Sequence, residues 1–263
     1  MAAGVPARVA SVDGLRGVLA AFVMFAHFVN AAGDGRYIGL ANICVMTFFV
    51  ISGYVLTRGW RGVYLGFLVR RFVRLWPLFA LCLAFGGWLS INPAPWSNYL
   101  WWPLMGINRQ APQDPVTWSL FVEAWAMPFM PLIIWIGRRQ VATLAAVAAL
   151  VLAQFWSKDL YYGAFFIIGS HLSSRAMASR VLESAPVQWL GRISYSLYLS
   201  HVLTMAVLKF QAPGLWIYLA IPVSLAVAHV LCLAVEQPSI AISRCAGRWV
   251  ERALGAGPKL ATA

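Results

Sequence analysis

Of the 263 residues, 61% are hydrophobic and only 11% are charged, whereas a soluble domain carries about a quarter charged residues. That composition excludes a water-soluble globular chain and predicts an all-α polytopic membrane protein whose helices pack in lipid. The net charge of +12 would suit nucleic acid in a soluble protein. Here the cytoplasmic loops of a membrane protein, which collect Lys and Arg, account for it, so no nucleic-acid partner is expected.

Apolar runs separated by polar breaks predict about eight transmembrane helices. In chain order they span 12–31, 37–58, 72–91, 116–137, 140–156, 160–173, 189–209 and 214–236. The sixth is short for a span. Residues 92–115, with Pro93, Pro95, Pro112 and Pro115, form the longest connection, and 174–188 form another. A single transmembrane domain is expected over 1–245, followed by a basic cytoplasmic tail without fixed structure over 246–263. The four cysteines (Cys44, Cys82, Cys232 and Cys245) are scattered and form no CxxC. They predict neither a zinc site nor a disulfide framework. The first helix also has the look of a signal peptide, with Arg8, Arg16, an apolar stretch and Ala31-Ala32. Seven further apolar runs favour its retention.

With the N-terminus in the cytoplasm, the eight-helix topology puts 16 of the 20 basic residues on the cytoplasmic side. Only Arg36, Arg109, Lys158 and Lys209 fall outside. The asymmetry predicts cytoplasmic N- and C-termini.

Within the first helix, "DGLRGVLAAFVMFAHFVN" (13–30), Arg16 and His27 are eleven residues apart. Eleven steps of about 100° come within about 20° of three full turns, so both side chains share one face, separated by about 16 Å along the axis. The predicted orientation puts Arg16 at the cytoplasmic headgroups and His27 in the outer half of the bilayer. A snorkelling arginine and a packing histidine would account for each alone. An ionisable residue inside a span is also a functional candidate.

The stretch "SVDGLRGVLAAFVMFAHF" resembles the first helix of the acyltransferase-3 family, whose signature is an Arg, ten residues, then a His. Other blocks match in order: "FFVISGYVLT" (48–57), "FLVRRFVRLWPL" (67–78), "WSLFVEAW" (118–125), "LGRISYSLYLSHV" (190–202) and "VEQP" (235–238). The chain departs from the family pattern at Ala124, Ser200 and Gln237, and in having about eight helices where the family usually has about ten. The resemblance implies an integral-membrane O-acyltransferase of the bacterial inner membrane. It implies acyl-CoA, acetyl-CoA by default, as the co-substrate and no metal. The acceptor would be a hydroxyl of a glycan, glycolipid or small molecule.

The residues suit that chemistry. Arg71 and Arg74 are i, i+3 and Arg70 and Arg74 are i, i+4, so they can share a helix face. Guanidinium groups are permanently charged forks that match phosphate. With Arg16 they form the expected acyl-CoA-binding set, and Ser52 beside Gly53 leaves room for a ligand arm or a neighbouring helix. His27 is the candidate general base. Glu123 is expected at a similar depth as its carboxylate partner, by the logic of a catalytic triad. Tyr198 and His201, also i, i+3, are candidates for binding acceptor or acyl group. His171 and His229 fit no motif. Tyr99, Trp101 and Trp102 read as an interfacial belt or an acceptor platform. Asp13 and Glu236 are expected to serve helix ends or pair with arginines. Two rival readings are a transporter using Arg16, His27 and Glu123 as a proton or anion path, and a non-catalytic relative.

Overall fold

The computed structural model describes residues 9–60, 63–89, 116–155 and 157–255. The expected aromatic group at 99–102, the whole 92–115 connection and the end of the tail lie outside them. Among the described residues there are ten α-helices and no strand. They are α1 (Ala10–Ala31), α2 (Ile38–Arg58), α3 (Tyr64–Trp88), α4 (Trp118–Ala126) and α5 (Met130–Gly137). After them come α6 (Gln140–Leu152), α7 (Lys158–Leu172), α8 (Ala185–Gln211), α9 (Trp216–Leu231) and α10 (Gln237–Ala253).

By length and composition, four helical runs can cross a membrane: Ala10–Ala31, Gly35–Arg58, Ala185–Gln211 and Trp216–Ala253. The α4–α5 pair makes a fifth if counted as one span. The chain is therefore a multi-pass membrane protein, with four or five candidate spans among the described residues where eight were expected. Three physical causes account for the difference. The expected 116–137 span is bent by 75° between α4 and α5. Pro128 sits in that break and Pro131 opens α5; neither offers a backbone N–H, and each disfavours helix in the residue before it. The fifth and sixth runs form helices of only 13 and 15 residues, short of the roughly 20 that a membrane core needs. Helix α3 is 25 residues long but carries Arg70, Arg71 and Arg74 in its first half.

Two helices extend past their expected ends, and they extend together. The third helix begins at Tyr64 instead of 72. The last expected span, ending at 236, instead continues through a π turn (Cys232–Glu236) into α10, so residues 246–253 of the expected tail are helical. Pro238 does not stop the helix because it lies in the first turn of the new segment, where its missing N–H costs least. Buried Ser239, Ser243, Gly247 and Glu251 recur every four residues along α10, and that stripe faces the beginning of α3. A Cβ on Gly66 would overlap Glu251, and one on Gly247 would overlap the stem of Arg70. The Arg70 guanidinium closes the contact by donating to Glu251.

Lipid is as apolar as a leucine side chain, so helices in it associate through close packing more than through the hydrophobic effect. Small residues make that possible here. Ser11, Gly14, Gly17 and Ala20 are buried along α1, at three-residue spacing. A Cβ on Gly17 would overlap the Gly191 backbone of α8, and a Cβ on Gly191 would overlap the carbonyl of Asp13. Ten residues further along each helix His27 meets His201, so α1 and α8 run parallel and in register. Helices α2 and α7 approach as closely. Gly53 lies against the Phe166 backbone and Gly169 against the Val50 carbonyl, while Thr57 donates to Ser170 at 2.9 Å. Packing therefore accounts for Gly53. Phe49, stacked on Phe166 with ring centroids 5.3 Å apart, anchors the largest apolar cluster among the described residues, which joins α1 to α5 with α7 and α8.

Candidate active site

Three helices converge on one carboxylate. Glu123 of α4 accepts from the Arg71 guanidinium of α3, and from Ser52 Oγ of α2 at 3.3 Å. The two charged side chains are only 13% and 12% exposed, so each is the other's compensation for lost water. Arg71 Nε is buried without a hydrogen-bond partner. Arg74 and Arg16 lie within electrostatic reach of Arg71 and of each other. Glu236 is within reach of Arg74 and Arg16, and it accepts from Ser196 Oγ at 2.6 Å. Arg16, Arg71 and Arg74 thus form one basic cluster threaded with carboxylates. Arg70, expected in the same set, turns instead toward Glu251.

A cavity of about 50 Å³ borders this cluster. Arg16, Ser52, Ser119, Glu123, Ser194 and Tyr198 supply its polar wall, and Val45, Phe48, Phe49 and Leu120 its apolar one. The hydroxyls of Ser119 and Tyr198 lie 2.8 Å apart, and both face the Val116 carbonyl at 3.1 Å. Beyond Tyr198 comes His201, with ring centroids 6.2 Å apart. His201 is fully buried, and its Nε2 is 3.4 Å from Nδ1 of His27. The order of contacts is therefore basic cluster, cavity, Tyr198, His201, His27.

This geometry changes one expected pairing. Glu123 bonds to Arg71 and Ser52, and the ring that faces His27 is His201. The expected pairing rested on depth alone, counted from the outer end of the 116–137 span, and depth does not fix which neighbouring side chain Glu123 meets. A buried guanidinium also holds a carboxylate more strongly than a neutral imidazole does. Sequence reasoning names Arg16, Arg71, Arg74, Ser52, Glu123, Tyr198, His27 and His201, and all eight lie in or next to this chain of contacts. It missed Ser119, Ser196 and the central position of Glu236. The available signal was the serine-rich stretch "SYSLYLS" (194–200), whose Ser194, Ser196 and Ser200 are all buried. His171 contacts the Gly137 carbonyl at 2.9 Å and His229 lies beside Trp189, both away from the site.

A family model described as an acyltransferase domain matches residues 9–159. That stretch holds Arg16, His27, Ser52, the three arginines of α3 and Glu123. "Protein 2 in picA locus" of Rhizobium radiobacter is 37% identical over 86 residues, covering 30% of this chain and 44% of that protein. The chain thus matches less than half the length of that relative. No solved structure matches. With more than half of its length matched by the family model, the chain belongs to the acyltransferase-3 family.

Proposed function

We propose that this protein is a membrane-embedded O-acyltransferase of the bacterial inner membrane. It moves an acyl group, acetyl by default, from cytoplasmic acyl-CoA to a hydroxyl of a glycan, glycolipid or small-molecule acceptor. The observation that carries this reading is the continuity from a buried arginine cluster, past a cavity, to a histidine pair. A phosphate-rich donor with a long arm needs positive charge at one end and a base at the other.

Arg16, Arg71 and Arg74 would hold the phosphates, and the buried, unpartnered Nε of Arg71 is a donor with capacity to spare. His27 would take the acceptor's hydroxyl proton as the oxygen attacks the thioester carbonyl. The C–S bond then breaks, the coenzyme A thiolate leaves, and the imidazolium returns that proton to the sulfur. Purified protein in lipid nanodiscs, given acetyl-CoA, should release free thiol in the presence of acceptor. His27→Ala should abolish the release while the thermal transition is kept. Robust thiol release by that variant would remove His27 from the mechanism.

A further inference from the structure

The histidine pair carries more information than its proximity. His201 Nδ1 lies 3.0 Å from the carbonyl oxygen of Leu197, one turn earlier on α8. A carbonyl can only accept, so Nδ1 must donate. In the neutral ring the proton therefore sits on Nδ1, and Nε2 keeps its lone pair. That lone pair faces Nδ1 of His27 at 3.4 Å. The contact is a hydrogen bond only if His27 carries its own proton on Nδ1. The second nitrogen of His27, Nε2, is then left as an unprotonated lone pair.

We propose that His201 is a positioning residue that fixes the tautomer and orientation of His27. The relay starts at the Leu197 carbonyl, and it presents His27 Nε2 as the basic atom. This inference rests on the acyltransferase reading and deepens it. A carboxylate usually does this job for a catalytic histidine. Here the carboxylate expected to do it, Glu123, is bound to Arg71, and a second imidazole stands in its place. The proton accounting is closed. When Nε2 of His27 takes the acceptor proton, Nδ1–H stays donated to neutral His201, and no proton passes to His201. The imidazolium gives the same proton to the departing thiolate and returns to its starting tautomer. The register of α1 on α8, fixed by Gly17 against Gly191, delivers the two rings to each other.

Two variants and one spectrum test the relay. His201→Leu removes the acceptor that faces His27, whereas in His201→Gln the side-chain carbonyl can take the place of Nε2. In His201→Leu, kcat should fall about 100-fold, the scale seen when a group that orients a working histidine is lost. KM for acyl-CoA should stay within about twofold, because no phosphate contact is touched. His201→Gln should recover about tenfold of that loss. In the wild type, the 15N spectrum of labelled His27 should show Nδ1 protonated and Nε2 bare. A kcat within about threefold of wild type in His201→Leu, or a wild-type spectrum with the proton on Nε2, overturns the relay. Should the leucine variant fail to fold, the glutamine variant and the wild-type spectrum still decide. If the wild type turns over no acyl-CoA, the acyltransferase reading falls, while the spectrum decides the relay independently.

Discussion

Arg71 and Glu123 face each other where neither can reach bulk water easily, and that makes the pair costly to break. Removing one member of a buried ion pair strands the other, at about 3–5 kcal/mol. Replacing both with apolar side chains of similar volume is often nearly neutral. Glu123→Ala should therefore lower the thermal midpoint sharply, and Arg71→Met combined with Glu123→Leu should recover most of the loss. The double variant should also fail to bind acyl-CoA, which separates the pair's part in stability from the donor site. Scanning fluorimetry in detergent, with and without coenzyme A, reads both effects. An additive double variant would mean that the two residues are not coupled. At this scale the sequence names the actors better than their partners. Arg16 and His27 follow from eleven residues of helical arithmetic. The partner of Glu123 depends on where α3 and α4 come to rest, which no local pattern encodes.

Single atoms set the spacing between helices. Gly17 and Gly191 bring α1 and α8 backbone to backbone, and the histidine pair lies ten residues along from that crossing. Gly17→Leu should force the helices apart, lower the thermal midpoint and cost acyl transfer even though residue 17 touches neither histidine. Val18, next along α1 and among the exposed apolar side chains, is the control: Val18→Leu adds bulk on an exposed face and should change little. Equal behaviour of the two variants in activity and thermal midpoint would dismiss the close approach as the cause. Helix existence was legible from apolar runs, and helix continuity was not. "MPFMP" (127–131) announced the break between α4 and α5, but the surrounding apolar residues concealed it. The opposite holds at 237, where hydropathy falls and the helix goes on. There Ser239, Ser243, Gly247 and Glu251 spelled out a packing face of period four that a search for apolar runs overlooks.

The run Trp216–Ala253 contains 38 residues, about 57 Å of helix at 1.5 Å per residue. A bilayer with its headgroups is only about 40–45 Å thick, so one end of the run must project. Arg244, Arg248 and Arg252 sit on the half that continues past Glu236, and the arginine-bearing start of α3 packs beside it. Positive charge gathers on the cytoplasmic side of membrane proteins, so the projecting pair of helices is expected in the cytoplasm with the phosphate-binding end of the site. Cysteine placement makes this measurable without engineering a reporter. Cys44, Cys82 and Cys232 are buried and Cys245, on the projecting half of the run, is exposed. A membrane-impermeant maleimide should label native protein once, at Cys245, in inverted vesicles, and not at all in right-side-out vesicles. The three buried thiols should react only after denaturation. Labelling of Cys245 from the outer face would reverse the orientation, placing Arg16, Arg71 and Arg74 away from the cytoplasmic acyl-CoA they are proposed to bind. Charge distribution across the whole chain, more than any motif, therefore decides whether the donor can reach the site.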